Sequence, residues 1–182
     1  MQIHEENEFG KLRHQELFLK LVKTYSEEVK RIIYFYIKDP IMAEDILQDT
    51  FISCYKKLSS FRHQSSYKTW LIRIAINQSK DYLKKSYVKR IVLGQIREKP
   101  STLYTPEYRT LQNERDKAII NQVNQLPVKQ KDVILLYYYE EYDIEEIAEV
   151  LQTKQNTVKT RLYRARETLK RNLEGKDVDY EF

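Results

Sequence analysis

Glycine is almost missing: Gly10, Gly94 and Gly175 are the only three in 182 residues. They stand far apart, so a G-x-G-x-x-G turn, a Walker phosphate loop and a nucleophile elbow cannot be formed, which removes most nucleotide-dependent enzymes. Cysteine is down to Cys54, and His4, His14 and His63 never join it at a ligand spacing. Disulfide frameworks and zinc clusters are therefore excluded, and a reducing compartment is expected. No run of about 18 apolar residues is available to cross a membrane. The opening Met1-Gln2-Ile3-His4-Glu5-Glu6 also lacks the basic-then-apolar order of a secretory signal. A cytoplasmic location without membrane insertion is the expectation. Repeats and low-complexity tracts are absent too.

What is present is the composition of a chain that can bury a core, 41% hydrophobic and 32% charged, enough for one large or two small domains. The net charge of +5 is modest, but its distribution is uneven. After Glu44, Asp45 and Asp49, the stretch from Thr50 to Lys80 carries Lys56, Lys57, Arg62, Lys68, Arg73 and Lys80 and no acid. The contrast recurs later. Residues 132–149 hold seven acids and no Lys or Arg, whereas 154–171 hold seven bases against Glu167 alone. One such run is ordinarily a solvated helical face; two in one chain weaken that explanation.

Periodicity predicts an all-α protein. Phe18, Val22, Tyr25, Val29, Ile32 and Tyr36 recur at three- and four-residue spacing between His14 and Lys38. Asp39-Pro40 predicts a helix stop and a new start, with Asp39 as cap and Pro40 in the first turn. In that second helix Leu47, Phe51, Cys54 and Leu58 share one face, and Glu44, Asp45, Gln48 and Asp49 the other. A loop around residues 59–66 leads to a third helix, capped by Ser65 or Ser66, running to about Lys85 and apolar on nearly every side from Trp70 to Ile76. Residues 86–113 lose clear periodicity and contain Gly94, Pro100 and Pro106, as an extended connector does. Beyond it, a helix from Glu114 should end before Leu126-Pro127, and another should cover Val128 to Tyr139. Asp143 and Glu146 form a D-x-x-E capping box for a helix carrying Ile144, Ile147, Ala148 and Leu151. After a break at Gln152 to Gln155, a last helix puts Val158, Leu162, Ala165 and Leu169 inward. Domains are expected over 14–90 and 115–174, with a linker over 91–114.

The second half has the form of a helix-turn-helix, a short amphipathic helix, a tight break and a longer basic helix. Lys159, Thr160, Tyr163, Arg164, Arg166 and Lys170 face outward there, residue types that meet phosphates and base edges. The plain alternative is a helical hairpin with a solvated basic face. In the first half, Phe61-Arg62-His63-Gln64-Ser65-Ser66-Tyr67-Lys68-Thr69-Trp70 interleaves rings and cations ahead of a helix carrying Asn77. Bases stack on rings while cations follow the backbone, so this mixture suits single-stranded nucleic acid, and an Asn can read an unstacked base. Equally, Phe61, Tyr67 and Trp70 can be core residues and Asn77 a satisfied polar group inside a buried helix.

The order of residues resembles the sigma-70 family of bacterial transcription initiation factors, and within it the extracytoplasmic function (ECF) group. Ala43-Glu44-Asp45-Ile46-Leu47-Gln48-Asp49-Thr50-Phe51 is similar to the A-E-D-x-x-Q-[ED]-[TV]-F signature of region 2. Phe61-Arg62 through Thr69-Trp70-Leu71-Ile72-Arg73-Ile74-Ala75-Ile76-Asn77 resembles its F-R-x-x-S-x-x-x-T-W-L-x-R-I-A-x-N continuation. Leu126-Pro127, Ile144 to Leu151 and Asn156 to Arg166 resemble region 4, usually G-T-V-K-S-R-L-x-R-A-R. Departures from that pattern are Gln152, where many relatives have glycine in the turn, Asn156 for the glycine opening the last helix, and Thr160 for serine. Asn caps helices and tolerates left-handed geometry, and Thr keeps the hydroxyl while adding a methyl.

The resemblance implies two small helical domains, a region 2 bundle and a region 4 helix-turn-helix, joined by an extended linker. It implies that Asp45, Gln48, Asp49 and Phe51 dock on the beta-prime coiled coil of core RNA polymerase. It implies that Phe61, Arg62, Lys68, Ile74, Asn77 and Lys80 bind the promoter -10 element, with Phe61, Ile74 and Asn77 around a base flipped out of it. Lys159, Thr160, Tyr163, Arg164 and Arg166 would enter the -35 major groove, with the beta flap and an anti-sigma factor as further partners. No catalytic residue, metal or cofactor is implied. The rival expectations are a helix-turn-helix regulator that never docks on polymerase, and an enzyme in which Glu44, Asp45 and Asp49 hold Mg²⁺.

Overall fold

In the computed structural model the backbone is described for residues 2–92 and 114–173, and the side chains for residues 12–88 and 119–173. Helices and turns make up all of the secondary structure among the described residues. The chain divides into two compact units, Met1–Gln95 and Ile96–Phe182. Most of the expected connector, 91–114, lies outside the described residues.

The first unit is a bundle of α1 (Gln2–Ile37), α2 (Pro40–Leu58) and α3 (Tyr67–Val92), each packed on the other two. The α1 helix starts well before His14 because nothing between residues 2 and 13 except Gly10 disfavours helix, and propagation adds a bond per residue. It ends where Lys38, at φ 58°, turns left-handed and donates its N–H to the Tyr34 carbonyl. Asp39 then caps α2, its carboxylate accepting the N–H groups of Ile41 and Met42 at 3.0 and 3.1 Å. Ser66 caps α3, its hydroxyl accepting the Thr69 N–H at 3.0 Å. No helix stop intervenes after Lys85, so α3 continues to Val92. The core collects Val29, Ile32 and Ile33 of α1, Ala43, Leu47, Phe51, Cys54 and Leu58 of α2, and Leu71, Ile72, Ala75 and Ile76 of α3. Each large side chain so buried stabilises by about 1.5 to 3 kcal/mol. Around Trp70 the burial is one-sided: Trp70, Arg73 and Ile74 are only half-buried.

A polar seam crosses this bundle. Gln78 of α3 accepts the Thr50 hydroxyl at 2.6 Å and donates its amide to Ser53 Oγ at 2.8 Å and the Asp49 carbonyl at 3.3 Å. Thr50 is fully buried. Its hydroxyl also lies 2.7 Å from the Ile46 carbonyl, so one side chain ties α2 internally and to α3.

The second unit winds α4 (Glu114–Gln125), α5 (Val128–Ile134) and α6 (Ile144–Val150) around the long α7 (Gln155–Leu173). Pro127 opens α5. The Lys131 ammonium donates to the Asn124 carbonyl at 2.6 Å near the end of α4, and burial pushes its pKa down while Asp132 pulls it back up. The helix expected from Val128 to Tyr139 changes character: from Leu135 it is a π-turn, Leu135–Tyr139, closed by the Glu140 N–H on the Leu135 carbonyl at 3.1 Å. The chain then reverses through Glu141 at φ 56° and buries Tyr142. Asp143 and Glu146 form the expected reciprocal capping box of α6, with bonds of 2.8 and 3.0 Å. Val158, Leu162, Ala165, Leu169 and Leu173 form the inward stripe of α7.

Candidate nucleic-acid interfaces

In the first unit the loop between α2 and α3 carries the rings. Phe61 is their hub, with its centroid 4.6 Å from Tyr67, 4.8 Å from Trp70 and 4.9 Å from His63. His63, held at φ 53°, meets Tyr67 edge-on at 5.6 Å. Phe61, Tyr67 and Trp70 are half-buried, so the cluster is neither sealed core nor fully splayed. At 100° per residue, Tyr67, Trp70, Ile74 and Asn77 fall on one side of α3. Ile74 is half-buried and Asn77 exposed, which removes the satisfied-polar-group explanation for Asn77.

The cations of this region divide. Arg62 is exposed on the loop. Lys68 is ion-paired with Glu28 of α1 at 2.8 Å, and Lys80 sits with its ammonium 5.9 Å from the Tyr36 ring centre. Both of these have partners on α1. On α2, Asp45, Gln48 and Asp49 are exposed, an uncovered acidic face. Glu44 is ion-paired with Lys30 at 2.8 Å, and that hydrogen bond raises the lysine's pKa. Phe51 is buried, edge-on to Phe18 at 6.3 Å. It cannot touch a partner as placed; what it gives the acidic face is a fixed seat for α2. Position 51 follows Leu47 by four residues and precedes Cys54 by three, which is why it points inward.

In the second unit the break between α6 and α7 is a Schellman turn. Gln152 takes φ 49°, the Thr153 N–H bonds to the Ala148 carbonyl at 2.9 Å and the Gln152 N–H to the Glu149 carbonyl at 3.3 Å. Gln152 thus adopts the left-handed geometry that glycine supplies more easily, at a cost of about 1 to 2 kcal/mol. Asn156 lies inside the first turn of α7 with no left-handed backbone, and its carbonyl accepts the Thr160 hydroxyl at 2.8 Å. Lys159, Thr160, Tyr163 and Arg164 are exposed along α7, Tyr163 to 64%. Arg166 is different. Its Nε donates to the Tyr138 hydroxyl at 2.7 Å, and its guanidinium lies 5.6 Å from the ring centres of both Tyr137 and Tyr138.

Gln78, Glu28 and Tyr138 escape a reading of the sequence because each acts across a long stretch of chain. Only the Tyr137-Tyr138-Tyr139 run offered a signal, and it reads as ordinary helix. Among the described residues no group of three His, Cys, Asp and Glu side chains is placed to hold a metal ion, and no helix is long and apolar enough to cross a membrane.

The sigma-70 region 2 family model matches residues 21–88, and that of sigma-70, region 4 matches residues 116–169. The chain is 32% identical over 171 residues to the ECF RNA polymerase sigma factor SigW of Bacillus subtilis, covering 87% of this chain and 90% of that one. It is 30% identical over 167 residues to the ECF RNA polymerase sigma-E factor of Haemophilus influenzae, covering 86% and 87%. Among solved structures, it is similar to the sigma factor RpoE in complex with the anti-sigma factor NepR from Bartonella quintana. That likeness has a TM-score of 0.71 at 22% identity and covers 87% of this chain and 97% of the other. Two family matches in the order region 2 then region 4, with full-length relatives at this identity, place the chain: it belongs to the extracytoplasmic function group of the sigma-70 family of RNA polymerase sigma factors.

Proposed function

We propose that this chain directs core RNA polymerase to specific promoters and helps open the -10 region, dividing the work between its two units. Residues 14–90 dock on polymerase and take the -10 strand, 91–114 link, and 115–174 read the -35 element. The observation that carries the proposal is the pairing, in one chain, of an exposed acidic face on α2 with a ring cluster and the exposed Asn77 on α3. A regulator that binds only duplex DNA has no use for either.

Asp45, Gln48 and Asp49, on the seat Phe51 provides, meet the beta-prime coiled coil, and the second unit meets the beta flap. Phe61, Ile74 and Asn77 receive the flipped base, while Arg62 follows its backbone; Lys68 and Lys80 assist after leaving Glu28 and Tyr36. Lys159, Thr160, Tyr163 and Arg164 enter the -35 major groove, with Arg166 beside them. The protein works in the cytoplasm, is itself no enzyme, needs no cofactor, and is held in check by an anti-sigma factor.

The energetics explain why polymerase is needed. Unstacking a base step costs on the order of a few kcal/mol, and stacking a freed base on protein rings returns about 1 to 3 kcal/mol. Phe61 already packs at a tilt against Tyr67 and Trp70, and such ring pairs are worth about 0.5 to 1.5 kcal/mol each. Part of the return is therefore spent on contacts the incoming base replaces, and the free protein should bind promoter duplex weakly. The test is run-off transcription with core polymerase on a promoter library. A defined set of start sites that vanishes without this chain is the expected result; no promoter-dependent product would overturn the proposal.

A further inference from the structure

On α7, Lys159, Tyr163, Arg166 and Lys170 stand at i, i+4, i+7 and i+11, a single row along the helix. Thr160 and Arg164 lie on the next row round, the one furthest from the buried stripe. When a helix enters a major groove, its outermost row reaches base edges and its flanking rows pass the sugar-phosphate walls. Arg166 belongs to a flanking row, and its chemistry is already committed. With Nε donated to Tyr138 and the guanidinium carbon 5.6 Å from two ring centres, its stem is laid back toward the π-turn and half-buried rather than extended along the groove.

We infer that Arg166 and Tyr138 together form a clamp for one backbone phosphate at the edge of the -35 site, and that Tyr137 and Tyr138 are positioning residues for it. The inference rests on α7 entering the -35 duplex. Arg carries five N–H donors, and the bond to Tyr138 uses only the one on Nε, which leaves the four on the two terminal nitrogens. Tyr138 accepts that bond through its oxygen, so its own proton is left to donate, and its side chain is 44% exposed. Both groups thus offer donors from one place to an anionic oxygen, and on a flanking row the oxygens within reach are those of the phosphate wall.

The π-turn is what makes the clamp possible. In an α-helix, side chains at i and i+1 do not face the same neighbour. Here the wider turn from Leu135 to Tyr139 lets consecutive tyrosines, with ring centres 5.0 Å apart, address the same guanidinium. The Tyr142 N–H on the Leu136 carbonyl at 2.9 Å holds that turn open at its far end. A guanidinium fixed in this way loses less conformational freedom on meeting the phosphate than a free side chain would.

The test uses holoenzyme assembled with the full chain, and duplexes carrying either the -35 sequence selected in run-off or single-base variants of it, with affinity measured across a salt series. Arg166→Ala should weaken every duplex by the same factor, about tenfold, and lower the salt slope by about one. Tyr138→Phe, which keeps the ring, should weaken all duplexes equally by about threefold, and Arg166→Lys should keep the salt slope but bind less tightly than wild type. Arg164→Ala and Lys159→Ala serve as references for α7 itself. A change of base preference at one -35 position in Arg166→Ala overturns the clamp, and so does wild-type affinity in Tyr138→Phe. If Arg164→Ala and Lys159→Ala are as silent as the clamp variants, α7 is not in the duplex and the underlying reading fails with it. Silence of the clamp variants alone sinks only the clamp.

Discussion

The two units present their working side chains in opposite ways. In the first, the rings face each other: Phe61, His63, Tyr67 and Trp70 satisfy one another across 4.6 to 5.6 Å, and Lys68 and Lys80 have found partners on α1. In the second, Lys159, Thr160, Tyr163 and Arg164 stand out from a helix that three others hold from behind. A closed duplex can be met by a surface that is already displayed. A base that must first leave its stack needs a surface that exchanges one set of contacts for another, and the exchange has to be driven. On the proposed reading, the first unit's surface suits capture of an opened strand and the second unit's suits closed DNA.

The sharpest way to separate the units is to weaken one core at a time. Leu71→Ala in the first unit and Leu162→Ala in the second each remove a side chain that is at most 2% exposed, and each should cost its own unit about 2 to 5 kcal/mol. Trp70 is the sole tryptophan, so its fluorescence in a urea titration follows the first unit, while circular dichroism follows both. Leu162→Ala should leave the Trp70 transition in place; if it moves, the units do not fold independently.

Next in size is the effect on DNA. Arg164→Ala should cost about 1 to 3 kcal/mol in holoenzyme binding to closed duplex bearing the -35 element. Asn77→Ala should leave that closed-duplex binding alone and reduce discrimination at one -10 base once the strand is open. An Asn77 effect on closed duplex would erase the contrast between displayed and exchanged contacts.

Smaller again is the cap of α6. Asp143→Ala removes one half of the capping box and should lower the stability of the second unit alone by about 1 kcal/mol, read from the circular dichroism transition. Loss in the Trp70 signal would again mean that the two units do not fold independently.

The last effect shows only at the pH extreme. Burial pushes the Cys54 thiol from its ordinary 9.0 up to about 11. A folded state that holds a proton more tightly than the unfolded one gains stability below the unfolded value and loses it as pH rises through the folded one. The difference in urea midpoint between wild type and Cys54→Val should therefore be constant up to about pH 8 and shift against wild type between about pH 9 and 11. A difference that stays flat over that range would mean the thiol is not shielded from water in the first unit's core.

Elements that depend on neighbours in sequence are legible before any coordinates. Asp39-Pro40, Ser66, Leu126-Pro127 and the Asp143-Glu146 box each act within one turn, and each stands where the residue types place it. The inward faces of α2 and α7 follow from spacing in the same way. The start of α1 and the end of α3 are less legible, because no residue forbids continuation and a helix runs on until something does. The π-turn is hidden because Val128 to Tyr139 reads apolar enough for either helix type. The fates of Lys68, Lys80 and Arg166 are hidden for another reason: a cation's spacing tells which way it leaves its own helix, not whether Glu28, Tyr36 or Tyr138 is waiting there. For Phe51 the spacing already pointed inward, and the structure follows the spacing.

The amide of Gln78 carries one more implication. Its three partners sit at fixed places on α2, so sliding α3 by a single turn, about 5.4 Å, would leave the buried Thr50 hydroxyl and the Gln78 amide without each other. The pair of helices is consequently stiff against shear and moves as one lever. Asp49, whose carbonyl is one of those partners, and Asn77, the residue before Gln78, are thereby held in one register.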